Sequence, residues 1–248
     1  MKRIYLSVII LFLCLISISA SDWDNYFTSG NQAYSEGNYQ EAIDNYLKII
    51  NQGKESGEIY FNLANSYYKI NEIGKAILYY EKAAQYLEGD EAVTQNLELA
   101  RLKIIDKIQP IPQLFLQEWW EIIIHSFSIN MYAWFSLGLF IFLLLFIILN
   151  VIFNKYFLRR LIWIFSVLFT IILILFISRI YENETKKYAI ILEDKVSAVG
   201  EPNMNSTEVF ILHEGTKVRI IRKTDDWAEI TIADGKTGWL KLNCLGVI

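Results

Sequence analysis

The chain has 248 residues, 54% of them hydrophobic, with a net charge of −4 and two cysteines. That balance argues against a basic nucleic-acid-binding surface; two cysteines make no disulfide framework, and a metal centre needs more ligands than they offer. The mean hydropathy of +0.28 comes from an apolar excess concentrated in residues 4–18, 131–153 and 161–178, a distribution that points to a membrane protein.

At the N-terminus, Lys2 and Arg3 precede an apolar run and then small residues around Ser19 and Ala20, which predicts a signal peptide over residues 1–20. An uncleaved anchor is the alternative reading of the same stretch. Leu13 stands where a lipoprotein signal wants a small residue before Cys14, so acylation is not expected.

Residues 22–107 contain an internal repeat. At an offset of 34 residues Tyr26 meets Tyr60, Phe27 meets Phe61, Asn31 meets Asn65 and Tyr34 meets Tyr68; further on, Ala42 meets Ala76 and Tyr46 meets Tyr80. A 34-residue period with two helices per unit is the tetratricopeptide signature. The first copy is expected near 23–56 and the second near 57–90, and a partial third copy, 91–107, is expected to be a capping helix. Gly30, Ala64, Ala42 and Ala76 are small where paired helices close on one another. Gly37 allows the turn inside the first pair, and Asn71 takes its place in the second. Phe27, Asn31 and Tyr34 share one helix face, as do Phe61, Asn65 and Tyr68. This face is expected to form a protein-binding groove, with the Asn amides presented to a partner's backbone or carboxylate. Shared descent of the two copies without any ligand is the alternative. Acids outnumber bases over 22–107, so a basic partner segment is mildly favoured.

Residues 108–130 read as a linker that includes an interfacial amphipathic helix; Trp119, Trp120 and Trp134 suit an aromatic belt. His125 lies here with no partner visible in the sequence. Two transmembrane helices are expected at 131–153 and 161–178. The loop between them, 154–160, carries Lys155, Arg159 and Arg160 and no acid, which keeps it cytoplasmic and puts both flanking domains on the outer side.

Residues 186–248 change to short β-like runs split by turns. Ala228, Ile230 and Ile232 alternate with Trp227, Glu229 and Thr231, and Asp234-Gly235 marks a tight hairpin. Glu214-Gly215 through Ile220, Trp227 through Ile230 and Asp234 through Trp239 resemble the segments of a bacterial SH3-like barrel. Trp227 and Trp239 either line a groove on that domain or belong to its packed interior.

The fold class expected is thus a multi-domain membrane protein: an all-α tetratricopeptide-repeat solenoid, two transmembrane helices and a C-terminal all-β SH3-like barrel. In order and content, most specifically at Gly74 to Ala83 and Asn96 to Arg101, the chain resembles the BatE family of the bacterial aerotolerance operon. The resemblance implies an inner-membrane protein working beside von Willebrand A-type membrane proteins and a MoxR-type ATPase, in aerotolerance or envelope stress. The sequence offers no catalytic constellation, metal ligand set or phosphate loop, so the expectation is a non-enzymatic scaffold without cofactor. Its partners would be the lipid bilayer and other envelope proteins, and not nucleic acid. The competing reading is a peptidoglycan-binding or sensing protein acting through the SH3-like domain, or an accessory to a wall hydrolase.

Overall fold

The computed structural model describes residues 22–112 and 114–248. The signal segment and Cys14 fall outside them. The chain divides into two compact units, the first ending at Ile104 and the second running from Ile105 to Ile248.

The regular elements among the described residues of the first unit are helices: α1 (Asp22–Ser35), α2 (Tyr39–Asn51), α3 (Gly57–Lys69), α4 (Ile73–Tyr86) and α5 (Glu91–Arg101). Each helix packs on the next, and the first helices of successive pairs also touch, α1 against α3 and α3 against α5. The starts and turns repeat with the sequence. Ser56 caps α3 by accepting from the Ile59 N–H at 3.3 Å. Thirty-four residues on, Asp90 caps α5 by accepting from Ala92 and Val93 at 2.8 and 3.1 Å. Gly37 (φ +83°) and Asn71 (φ +65°) both take the left-handed conformation that turns the chain between paired helices. Ala42, Ala64, Ala76, Ala83 and Ala100 are completely buried, so backbones approach closely at these points. A β-carbon on Gly30 would stand 2.6 Å from the Tyr46 ring, which is why the smallest residue occupies that site. Arg101 closes the end of the unit by pairing with the nearly buried Glu81 at 2.5 Å.

The last helix of this unit stops at Arg101, short of residue 107. Residues 105–112 form no regular element and belong instead to the second unit, where Asp106 is held by His213 and Thr216.

The second unit contains three helices: α6 (Phe115–His125), α7 (Ile129–Phe153) and α8 (Tyr156–Thr185). Two of these, α7 and α8, are long and apolar enough to cross a membrane. At about 1.5 Å per residue they reach roughly 37 and 45 Å, more than a hydrocarbon core of about 30 Å requires. They pack through Phe146 on Phe165 (4.9 Å between ring centroids) and Phe140 on Phe169 (5.9 Å). The apolar run 161–178 marks only the middle of α8. The basic segment after Lys155 is itself helical, since charge ends a lipid span without breaking a helix. The actual break is Asn154, left-handed at φ +46°, with Arg159 donating to its Oδ1 at 2.6 Å.

Seven strands follow: β1 (Lys187–Ile191), β2 (Lys195–Val199), β3 (Glu208–His213), β4 (Lys217–Lys223), β5 (Trp227–Thr231), β6 (Thr237–Lys241) and β7 (Leu245–Val247). They form one antiparallel sheet in the order β3-β2-β6-β5-β4-β1-β7. Leu212 at one end of that order and Leu245 at the other enter the same apolar core with Ile191, Val218, Ile230 and Leu240. A flat sheet cannot bring its two ends to one core, so this one coils around its own interior.

Asn71 supplies a test of the repeat logic. A left-handed backbone costs an ordinary L-residue about 1–2 kcal/mol and glycine almost nothing. Asn71→Ala should therefore lower the stability of the helical unit by about 1 kcal/mol, and Asn71→Gly, the residue of the other copy, should leave it near wild type. Denaturant unfolding followed by the helical circular-dichroism signal reads both.

Candidate functional site

The six residues expected to line a groove come together on neighbouring helices of the first unit. Phe27, Tyr34, Phe61, Asn65 and Tyr68 are half-buried and Asn31 is exposed. The asparagine oxygens, however, face the protein. Asn31 Oδ1 accepts from the Tyr46 hydroxyl at 2.7 Å and from Asn62 Nδ2 at 3.0 Å. Thirty-four residues later, Asn65 Oδ1 accepts from the Tyr80 hydroxyl at 2.6 Å and from Asn96 Nδ2 at 3.0 Å. Each asparagine thus joins three helices, α1–α2–α3 in the first set and α3–α4–α5 in the second. Tyr46 and Tyr80 are each 1% exposed. Burial pushes the Tyr46 hydroxyl up to about 12 and that of Tyr80 in the same direction, so both are neutral donors at pH 7. The oxygens of these amides therefore serve the fold, because a buried tyrosine hydroxyl needs an acceptor.

The aromatic members keep an outward aspect. Phe27 tilts against Tyr46 and Phe61 against Tyr80, at 6.2 and 6.0 Å between centroids. Tyr34 meets Tyr39 edge-on at 5.3 Å, and Lys103 sits 4.2 Å above the Tyr68 ring. The face also continues further than the sequence reading took it. At the next 34-residue step, α5 presents Gln95 and Leu99, and Leu102 follows as its C-cap. Leu99 and Leu102 are 52% and 77% exposed and border a surface cavity of about 570 Å³. The same offset that located the first two trios locates this one; it passed unnoticed because the residue types change. A second cavity, about 550 Å³, adjoins Phe27 and is lined by Trp23, Glu55, Ser56, Tyr86 and Leu87.

In the sheet, register puts Arg222, Glu229 and Trp239 side by side on one face, with Trp227 on the same face two residues from Glu229. Arg222 donates to Glu229 Oε2 at 2.5 Å and its guanidinium lies 5.0 Å from the Trp239 ring centre. Trp239 is 7% exposed and Trp227 half-buried, so the indole nearer the middle of this face is largely covered. Cys244 is a packed thiol: it is 2% exposed, lies 2.8 Å from the Lys241 carbonyl, and burial pushes it up to about 11.

Both histidines have partners the sequence did not reveal. His125 Nε2 lies 3.1 Å from Glu182 Oε2, and Lys186 pairs with Glu182 and, at 3.5 Å, with Glu121. These contacts tie α6 to the end of α8. His213 holds Asp106. The ring Nδ1 is 2.7 Å from Asp106 Oδ1, while Oδ2 accepts from the His213 backbone N–H at 2.6 Å and the Thr216 hydroxyl at 2.7 Å. Among the described residues no three His, Cys, Asp or Glu side chains converge to hold a metal ion. Comparison with protein-family models finds no match to this chain, and neither does comparison with curated proteins.

Replacing Asn31 and Asn65 together by alanine removes the acceptor of two buried hydroxyls. An unsatisfied buried polar group costs about 1–3 kcal/mol, so the double variant should lower the unfolding midpoint of the helical unit clearly, while Asn31→Asp with Asn65→Asp should lose less. Asp106 gives a pH test. Burial pushes its carboxyl up, but the His213 side chain, the His213 backbone N–H, the Thr216 hydroxyl and the His213 charge together outweigh burial and hold it below the ordinary value of 3.8. Its contribution to stability is therefore complete above that value and disappears as pH falls through the lower folded one. Acid titration of the sheet's unfolding should show this loss, and Asp106→Asn should flatten it.

Proposed function

We propose that the chain is a membrane-anchored, non-enzymatic scaffold that binds other envelope proteins through its helical repeats. The observation that carries this reading is the aromatic face repeated at 34-residue spacing on α1 and α3. Phe27, Tyr34, Phe61 and Tyr68 stay only half-buried, and Leu99 on α5 and Leu102 just past its end are open. Aromatic residues are enriched at protein interfaces, and tyrosine is among the residues that carry most of the binding energy there. On this reading the helical unit is a short tetratricopeptide solenoid and the sheet an SH3-like barrel. Helices α7 and α8 hold the protein in the bacterial inner membrane. The basic residues Lys155, Arg159 and Arg160 at the break between them face the cytoplasm, and the repeat helices and the sheet stand on the outer side. Its resemblance to the BatE family supports a place in an aerotolerance or envelope-stress assembly with von Willebrand A-type membrane proteins and a MoxR-type ATPase. Anchoring would confine such a partner to the same membrane and raise its effective concentration. The wall-binding reading draws less support, because Trp239 is covered by Arg222.

A photoreactive phenylalanine analogue at Tyr68, in intact cells, should give a discrete crosslink to another envelope protein. Phe27→Ala with Phe61→Ala should reduce that adduct at least fivefold while the protein remains folded and membrane-bound. Crosslinking to lipid alone, or an adduct indifferent to both phenylalanines, would remove the repeat face as the binding site.

A further inference from the structure

Residues 105–112, Ile-Asp-Lys-Ile-Gln-Pro-Ile-Pro, lie on the sheet without joining it. Pro110 and Pro112 have no N–H to give to a ladder, and from the segment's backbone the Ile111 N–H donates to the Ala233 carbonyl at 3.2 Å. Attachment rests on side chains at three places. The Asp106 carboxylate receives the two hydrogen bonds from backbone and hydroxyl donors and faces the His213 ring, and its side chain is only 13% exposed. Ile108 packs against the apolar core of the sheet. Ile111 lies over Gly235, where any β-carbon would stand 2.7 Å from its Cδ1. Between these anchors Lys107, Gln109 and Pro110 are exposed. Asp106 and Ile108, two residues apart, share one side of an extended segment, while Ile111, 58% exposed, adds a third contact at the Gly235 turn.

We infer that the sheet carries a docking site for an extended, carboxylate-led segment, and that residues 106–111 fill it in cis as a detachable strap. The recognition elements are the His213 N–H and ring, the Thr216 hydroxyl, the edge of the core under Ile108, and the bare Gly235 turn. The ligand class is a peptide with Asp at its first position and aliphatic residues at its third and sixth. A tethered occupant competes at high local concentration, so the wild-type site answers weakly to the same peptide in trans. This inference does not depend on the reading of the repeat face.

The test uses the full chain in detergent micelles and a fluorescent peptide, IIDKIQPIP, corresponding to residues 104–112. Asp106→Ala with Ile108→Ala vacates the site. That variant should bind the peptide at least tenfold more tightly than wild type, and Thr216→Val added to it should weaken binding at least fivefold. A peptide with Asn in place of Asp should bind neither protein. If the vacated variant binds no better than wild type while Cys244 stays unreactive to thiol reagents, the sheet is intact and the docking site is refuted. If Cys244 becomes reactive, the variant has lost its fold and hydrogen exchange on the wild type decides instead. The amides of Ile111 and His213 should then exchange well before those of Ile191 and Ile232. Exchange of all four together would make the segment an inseparable part of the domain and overturn the inference.

Discussion

Two tyrosine hydroxyls set the register of the helical unit. Tyr46 and Tyr80 sit in the tightest part of the packing, where Gly30 and the buried alanines bring backbones together. A phenol there brings a large apolar ring together with one polar atom that water cannot reach. Asn31 and Asn65 satisfy that atom, and because each also receives an amide from the following helix, the satisfied state exists in only one alignment of three helices. A slip of one turn along any of them would strand a buried hydroxyl. Apolar packing alone tolerates such slips far better, since Leu and Ile contacts have no direction. The five short helices, none beyond 14 residues, thus gain a defined stacking that their own helix propensity would not specify.

This arrangement explains what was legible in the sequence and what was not. The 34-residue offset located helix pairs, turns and the shared aromatic face, because periodicity reports which side of a helix a residue occupies. It says nothing about what a polar residue on that side touches. Asn31 and Asn65 lie at the boundary between the packed and open faces, so their exposed register suggested a ligand while their oxygens were turned to Tyr46 and Tyr80. The identity of the tyrosines at both 34-spaced positions was the signal that could have shown it. A tyrosine kept where leucine would fill the space argues for a use of the hydroxyl.

The contacts that sequence reading missed altogether are those between residues far apart in the chain. His125 and Glu182 are separated by 57 positions, Asp106 and His213 by 107. No local pattern links them. Both cases also involve stretches that run past or stop short of the pattern visible in the sequence. Helix α8 continues past its apolar run to Thr185 and so brings Glu182 to α6, and α5 stops at Arg101 and so frees Asp106 for the sheet. Hydropathy finds the lipid-facing part of a helix, and helix periodicity finds its packed part. Polar extensions and irregular segments are fixed by tertiary partners instead.

The segment 105–112 and the helical stack solve the same problem in opposite ways. Within the stack, the asparagine–tyrosine bonds join residues already in helices and so refine an alignment that apolar burial has largely formed. The segment has neither a ladder nor a helix to fall back on, and its prolines remove two of the donors that could have made one. Its place then depends on a single ionised carboxylate, one isoleucine at the core edge and a glycine turn able to admit another. Such an attachment is specific, because a carboxylate held by a backbone N–H, a hydroxyl and an imidazole has little freedom to move. It is also separable, because the sheet's own hydrogen bonds do not run through it. Ile191 donates to the Thr216 carbonyl and Ile232 to that of Lys236, neither through the segment. An attachment of this kind differs physically from the strand ladders, whose loss would take the sheet itself apart.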